Sequence, residues 1–179
     1  MGEELISSYK KVEILRSNLP RVMFDGQTIY ATVTYLLDGD NVLLIYKKRG
    51  FGAGKYNGVG GKIEKGEDIF SSAKREVLEE IKVEVKELSL HGVLLFYSVF
   101  ENPDIIVYVF TTREFSGTPC ETNEAKPQWF KKEQLPWEHM WEDDRIWLRH
   151  VLDGKRVYGV FWFDRDYKKL LKWDLSVYP

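Results

Sequence analysis

At 179 residues, with 44% hydrophobic and 30% charged side chains, the chain has the length of one ordinary globular domain and can bury a core without staples. Its 26 basic and 28 acidic residues leave a net charge of −2, which excludes the broad basic surface of a general nucleic-acid binder. A small anionic substrate is still allowed, because a bound cation can supply local positive charge.

One cysteine, Cys120, cannot form an internal disulfide, and a reducing compartment follows as the simplest expectation. No apolar run has the length of a membrane span. The stretch carrying Glu3, Glu4, Lys10, Lys11 and Glu13 lacks the apolar segment of a signal peptide, so a cytoplasmic location is expected.

Residues 1–27 are mixed in character and punctuated by Pro20 and Gly26; they are either an added strand and loop or an N-terminal arm. The rest, with no repeat or linker, is expected to form a single domain over 1–179. Thr28–Leu37 and Asn41–Lys48 are rich in β-branched, aromatic and leucine residues and flank Asp38-Gly39-Asp40, the pattern of a hairpin. Gly50–Gly61 follows as a long glycine-rich loop. Asp68 can cap a helix running to about Ile81.

Strand character returns at Val83, and Val93–Phe100 with Ile105–Thr112 predicts a second hairpin. Gln128–Lys131 reads as a short strand and Asp143–Leu152 as a second helix. Arg156–Phe163 and Leu170–Val177 close the chain as strands. Strands mixed with two helices predict an α/β sandwich around a mixed sheet.

The helix after Asp68 carries the chemistry. At about 100° per residue, Ile69, Phe70, Ala73, Val77 and Ile81 share the arc that should meet the sheet. Glu76, Glu79 and Glu80 share the adjoining arc, with Glu80 at the apolar edge. Like charges three and four apart destabilise a helix by about 0.2–0.5 kcal/mol per pair. Carboxylates bordering a buried face cost more still unless a cation offsets them. Hard oxygen donors of this kind suit Mg²⁺ or Mn²⁺. The competing reading is a solvated acidic face.

Gly61–Val83, GKIEKGEDIFSSAKREVLEEIKV, resembles the Nudix box, Gly-x5-Glu-x7-Arg-Glu-U-x-Glu-Glu-x-Gly-U, where U is a bulky aliphatic. Gly61, Glu67, Arg75, Glu76, Val77, Glu79, Glu80 and Val83 match it. A chance match of the six fixed polar and glycine positions is expected on the order of once in 10⁵ such chains. Lys82 departs from the pattern, standing where the family has a helix-ending glycine. Lys82 either adopts that left-handed conformation or the helix closes differently.

The resemblance implies a Nudix-type α/β/α sandwich with a central mixed sheet. It assigns Glu76, Glu79 and Glu80 to metal binding and catalysis, the Gly60 carbonyl to the same metal, and Glu67 with Arg75 to a bracing ion pair.

From about Thr32 onward, roughly four-fifths of the chain, the sequence is similar to the MutT-homologue oxidised purine nucleoside triphosphatases. The closest stretches are KKRGFGAGKYNGVGGKIEKGE, GTPCETNEAKPQWF and HMWEDDRIW. That similarity implies hydrolysis of triphosphates such as 8-oxo-dGTP to monophosphate and pyrophosphate. It places Asn57, Asp143 and Asp144 on the purine edge and Phe51 and Trp141 on its face. Thr32, Lys47, Gly60, Gly61 and Lys62 fall beside the substrate, and Glu124 near the metal.

Tyr56 and Val59 replace bulkier aromatics of that group. Asn offers a donor and an acceptor. Two adjacent carboxyls in a half-buried pocket resist ionising together, so one can stay protonated and donate.

Alternatives stand beside these assignments. Asp143 and Asp144 could cap the second helix, Lys47-Lys48-Arg49 could be a solvated basic patch, and Glu124 an ordinary loop glutamate. The function could instead be hydrolysis of ADP-ribose, a dinucleotide or a capped RNA end, or nucleotide binding without turnover. The expected partner is a small nucleotide, with no membrane and no stable nucleic-acid complex, on a monomer or homodimer.

Overall fold

The computed structural model describes residues 24–179. Of the expected N-terminal strand or arm over residues 1–27, residues 1–23 lie outside the described residues, and 24–27 hold no strand. One sheet of nine strands runs through the rest: β1 (Ile29–Asp38), β2 (Asn41–Lys47), β3 (Tyr56–Asn57), β4 (Val59–Lys62), β5 (Glu84–Tyr97), β6 (Ile105–Ser116), β7 (Ala125–Lys131), β8 (Arg156–Phe163) and β9 (Leu170–Tyr178). Helices α1 (Ile69–Ile81) and α2 (Asp144–Leu152) complete it. The strand order is β3-β2-β1-β6-β5-β8-β9, with β4 on β1 and β7 on β2. β1 with β6 and β5 with β8 are parallel and the other pairs antiparallel, so the sheet is mixed.

Strand periodicity explains the layers. On β1, Val33, Tyr35 and Leu37 join one core with Trp147, Leu148 and Val151 of α2, while Leu36 joins a second with Val77 and Ile81 of α1. β2 divides likewise, Val42 and Leu44 to one side, Leu43 and Ile45 to the other. A strand covered on both faces reads as an unbroken apolar run, as Val33–Leu37 and Val42–Ile45 do, with only Thr34 interrupting.

Three expectations need correction. The segment Gly50–Gly61 is not one loop, since β3 and β4 occupy its second half. A side chain at Gly60 would put Cβ 1.9 Å from the Thr32 carbonyl oxygen, so this glycine allows β4 to lie close on β1. On α1, Phe70 is exposed and sets its ring edge against Phe110 in the first turn, while Ser72 takes a buried place. β7 begins at Ala125, earlier than its sequence suggests, because it pairs along the whole of β2.

α1 starts as expected, with Asp68 accepting from the Ser71 amide at 2.9 Å. It ends on Lys82 in the left-handed region at φ 61°, whose amide donates to the Leu78 carbonyl. Lys82 therefore adopts the geometry usually given to glycine, and the helix closes in the usual way.

Candidate active site

Arg75 organises the acidic face of α1. Its guanidinium donates to both Glu67 oxygens at 2.7 and 3.0 Å, to Glu76 at 2.9 Å, to Glu79 at 3.1 Å and to the Lys62 carbonyl at 3.0 Å. The Glu67 carboxyl is thereby held down at about 2. Arg75 thus ties the loop before α1 to the helix, and its pairing with the adjacent Glu76 is not one that helical spacing alone would give.

Glu76 and Glu80 face inward from this network. Burial raises the Glu76 carboxyl above its ordinary value against the pull of Arg75. Glu80 is raised to about 7, first by burial and then by Glu76, with Lys47 opposing and Glu124 adding to the rise. Its Oε2 is buried without a hydrogen-bond partner. A buried carboxylate oxygen without a donor is costly unless a cation or proton meets it.

Among the described residues no three acidic, His or Cys side chains already stand as a closed cage, and Arg75 pairs with both Glu76 and Glu79. The unpartnered oxygen and an all-oxygen donor set nonetheless fit a hard divalent cation. Glu124 bears on Glu80, yet its own carboxylate is paired with Arg49.

A cleft opens beside these carboxylates, with a cavity of about 170 Å³ that continues into an open mouth. Thr32, Lys47, Phe51, Asn57, Gly60, Gly61, Trp141, Asp143 and Asp144 all line it. Lys62 does not; its side chain is exposed and its carbonyl belongs to Arg75. Gly61 joins cleft to carboxylates, for a Cβ there would lie 2.5 Å from the Glu76 carboxyl.

At the far end, Asp143 and Asp144 are both buried. Asp143 accepts from the Trp147 indole N–H at 2.8 Å, and Asp144 accepts from the Trp141 amide at 3.1 Å. The capping role is corrected here: Asp143 makes no side-chain capping bond to α2. Burial pushes both carboxyls upward, and for Asp144 the neighbouring Asp143 pushes further. One of the two holds a proton where an isolated carboxyl would have lost it. Asn57 accepts at Oδ1 from the Gly58 amide at 2.8 Å and from the Tyr35 hydroxyl at 3.2 Å, so it has only its NH₂ left to offer.

Aromatic rings wall the cleft. Phe51 and Trp141 lie 5.0 Å apart at 32°, and Lys55 places its ammonium 5.0 Å over Trp141. Phe163 stacks on Tyr167 at 5.1 Å. Tyr167 stands at φ 54° and donates to Asp104 at 2.5 Å. Sequence reasoning missed Phe96, Phe163 and Tyr167 in this wall, and Tyr35 behind it. They sit in ordinary apolar strands or a turn, and no spacing marks them.

A Nudix domain model matches residues 27–151. The chain is 41% identical over 132 residues to an oxidized purine nucleoside triphosphate hydrolase of Danio rerio, covering 74% of this chain and 85% of that protein. To the protein of the same description from Mus musculus it is 40% identical over 144 residues, covering 80% and 92%. The crystal structure of a MutT protein from Bacillus halodurans superposes with TM-score 0.73 at 31% identity, over 83% of this chain and 97% of that one. The chain belongs to the Nudix family and is a Nudix hydrolase. Its mixed sheet between two helices is the Nudix fold. Among the described residues no helix is long and apolar enough to cross a membrane.

Proposed function

We propose that the protein hydrolyses oxidised purine nucleoside triphosphates to the monophosphate and pyrophosphate, and so clears damaged precursors from the nucleotide pool of the cytoplasm. The observation that carries this reading is the buried pair Asp143–Asp144 facing the same cleft as Asn57. A carboxyl that keeps its proton donates and its ionised neighbour accepts. Exchanging those roles lets one pocket read both an oxidised guanine and an oxidised adenine. The relatives described as oxidized purine nucleoside triphosphate hydrolases support the same substrate class.

Glu76, Glu79 and Glu80, with the Gly60 carbonyl, are the ligands we assign to Mg²⁺ or Mn²⁺; Glu124 would join only by leaving Arg49. Such an ion neutralises phosphate oxygens and favours ionisation of water. One of these carboxylates, once ionised, would also accept a proton from the attacking water. Arg75 holds Glu76 and Glu79 in place through bonds that do not reach the cleft. Lys47 lies along the path from base to carboxylates and offsets phosphate charge. Phe51 and Trp141 cover the base and exclude water.

The test is product analysis with Mg²⁺ on 8-oxo-dGTP, 2-hydroxy-dATP, dGTP, ADP-ribose and a dinucleoside polyphosphate, with Glu80→Gln as control. Pyrophosphate release that favours the two oxidised triphosphates over dGTP is expected. A preference for ADP-ribose or the dinucleotide would sink the assignment of Asn57, Asp143 and Asp144.

A further inference from the structure

Among the residues assigned to the purine edge, Asn57 is the amide, and its neighbours fix which of its two ends is the oxygen. The Gly58 amide can only donate, so the Asn57 atom 2.8 Å from it must be the carbonyl oxygen, and the flipped amide is excluded. The Tyr35 hydroxyl donates to the same oxygen at 3.2 Å. Both lone pairs are then engaged, and among the described residues nothing accepts from Nδ2.

Tyr35 does not line the cleft; it is fully buried behind it, on β1. Its ring meets Trp147 edge-on at 6.0 Å, and the Trp147 indole is the donor to Asp143. Gly58 makes room for it, since a Cβ there would lie 2.8 Å from the Tyr35 ring. Tyr35 thus packs between the two elements that read the base. Burial, then the charges of Asp144 and Asp143, keeps its phenol protonated and therefore a donor.

We propose that Tyr35 is a positioning residue for base recognition: it fixes the Asn57 carboxamide with its NH₂ toward the cleft, so the site requires a hydrogen-bond acceptor on the base at that point. The inference rests on the reading that the cleft takes a purine. It explains why a tyrosine occupies a wholly buried place where a phenylalanine would pack as well. The hydroxyl serves Asn57 and not the core.

The experiment compares wild type, Tyr35→Phe, Asn57→Ala and the double variant in Mg²⁺ with 8-oxo-dGTP. Losing one neutral buried hydrogen bond should raise KM about three- to tenfold in Tyr35→Phe. The kcat should stay within about twofold, because the chemistry is untouched. In the Asn57→Ala background the same change should add nothing, since its effect runs through that amide.

The Asn57 side-chain NH₂ resonances of the Mg²⁺-bound protein should shift and broaden in Tyr35→Phe. An equal rise in KM with Asn57 already removed would overturn the proposal, leaving Tyr35 a packing residue. So would unchanged NH₂ resonances. Absence of turnover by wild type would instead remove the substrate assignment, while the resonances would still decide what Tyr35 does to Asn57.

Discussion

Replacing Glu80 by glutamine should make the metal-free protein more stable and inactive at once. The wild-type carboxyl is lifted from its ordinary 4.5 to about 7 by burial and by Glu76, and Oε2 has no donor. A carboxyl raised on folding contributes stability that is fully present below about 4.5 and is lost as pH rises through about 7.

Spanning that window corresponds to about 3 kcal/mol. Because part of the carboxyl still meets solvent, about 2 kcal/mol is the expected loss. At pH 8 the metal-free wild type carries this penalty in full, and Glu80→Gln does not. Urea unfolding in EDTA should therefore give the variant a higher midpoint at pH 8, with the difference shrinking towards pH 5. Asp143 and Asp144 titrate in both proteins and cancel. Saturating Mg²⁺ should raise the wild-type midpoint more than the variant's, while pyrophosphate release vanishes in the variant. A variant no more stable than wild type at pH 8, or a gain equally large at pH 5, would refute the reasoning.

Gly61→Ala places Cβ 2.5 Å from the Glu76 carboxyl, so the fold should persist by circular dichroism while pyrophosphate release falls at least about tenfold. Gly60→Ala meets backbone at 1.9 Å instead, and it should abolish cooperative thermal unfolding altogether. Lys82→Gly relieves a non-glycine residue at φ 61° and should raise stability by about 1 kcal/mol in urea with activity unchanged. Asp144→Asn removes the exchangeable proton from the buried pair. The kcat/KM ratio between 8-oxo-dGTP and 2-hydroxy-dATP should change at least about tenfold, and an unaltered ratio would count against the pair as the reader of the base.

The acidic helix was legible because spacing dictates it: three glutamates beside an apolar arc are fixed by 3.6 residues per turn wherever the helix goes. Asp68 as its cap and the two-sided character of β1 and β2 were readable for the same local reasons. The positions of Phe70 and Ser72 were not, since the first turn answers to Phe110 on a distant strand. Gly60 and Gly61 read as loop glycines, yet they are strand residues whose lack of a side chain serves the close approach of β1 and Glu76.

Asp143 showed the limit of local rules. At a helix start it looks like a cap, and only the indole of Trp147, one turn along, draws its carboxyl inward. Tyr35 and Tyr167 carried no signal at all, because a buried hydroxyl is recognisable only by the partner it meets, Asn57 in one case and Asp104 in the other.

The register of β1 makes a ruler of the site. Thr32 faces Gly61 across the ladder, where the missing Cβ admits the Glu76 carboxyl, and three residues later Tyr35 holds Asn57. An extended strand fixes those two marks about 10 Å apart. On the proposed reading, a nucleotide in the cleft would be gauged between these two marks of one strand, with its anhydride directed towards Glu76 and Glu80. A longer span between base and phosphorus would then misalign one end or the other, however well each end fitted alone.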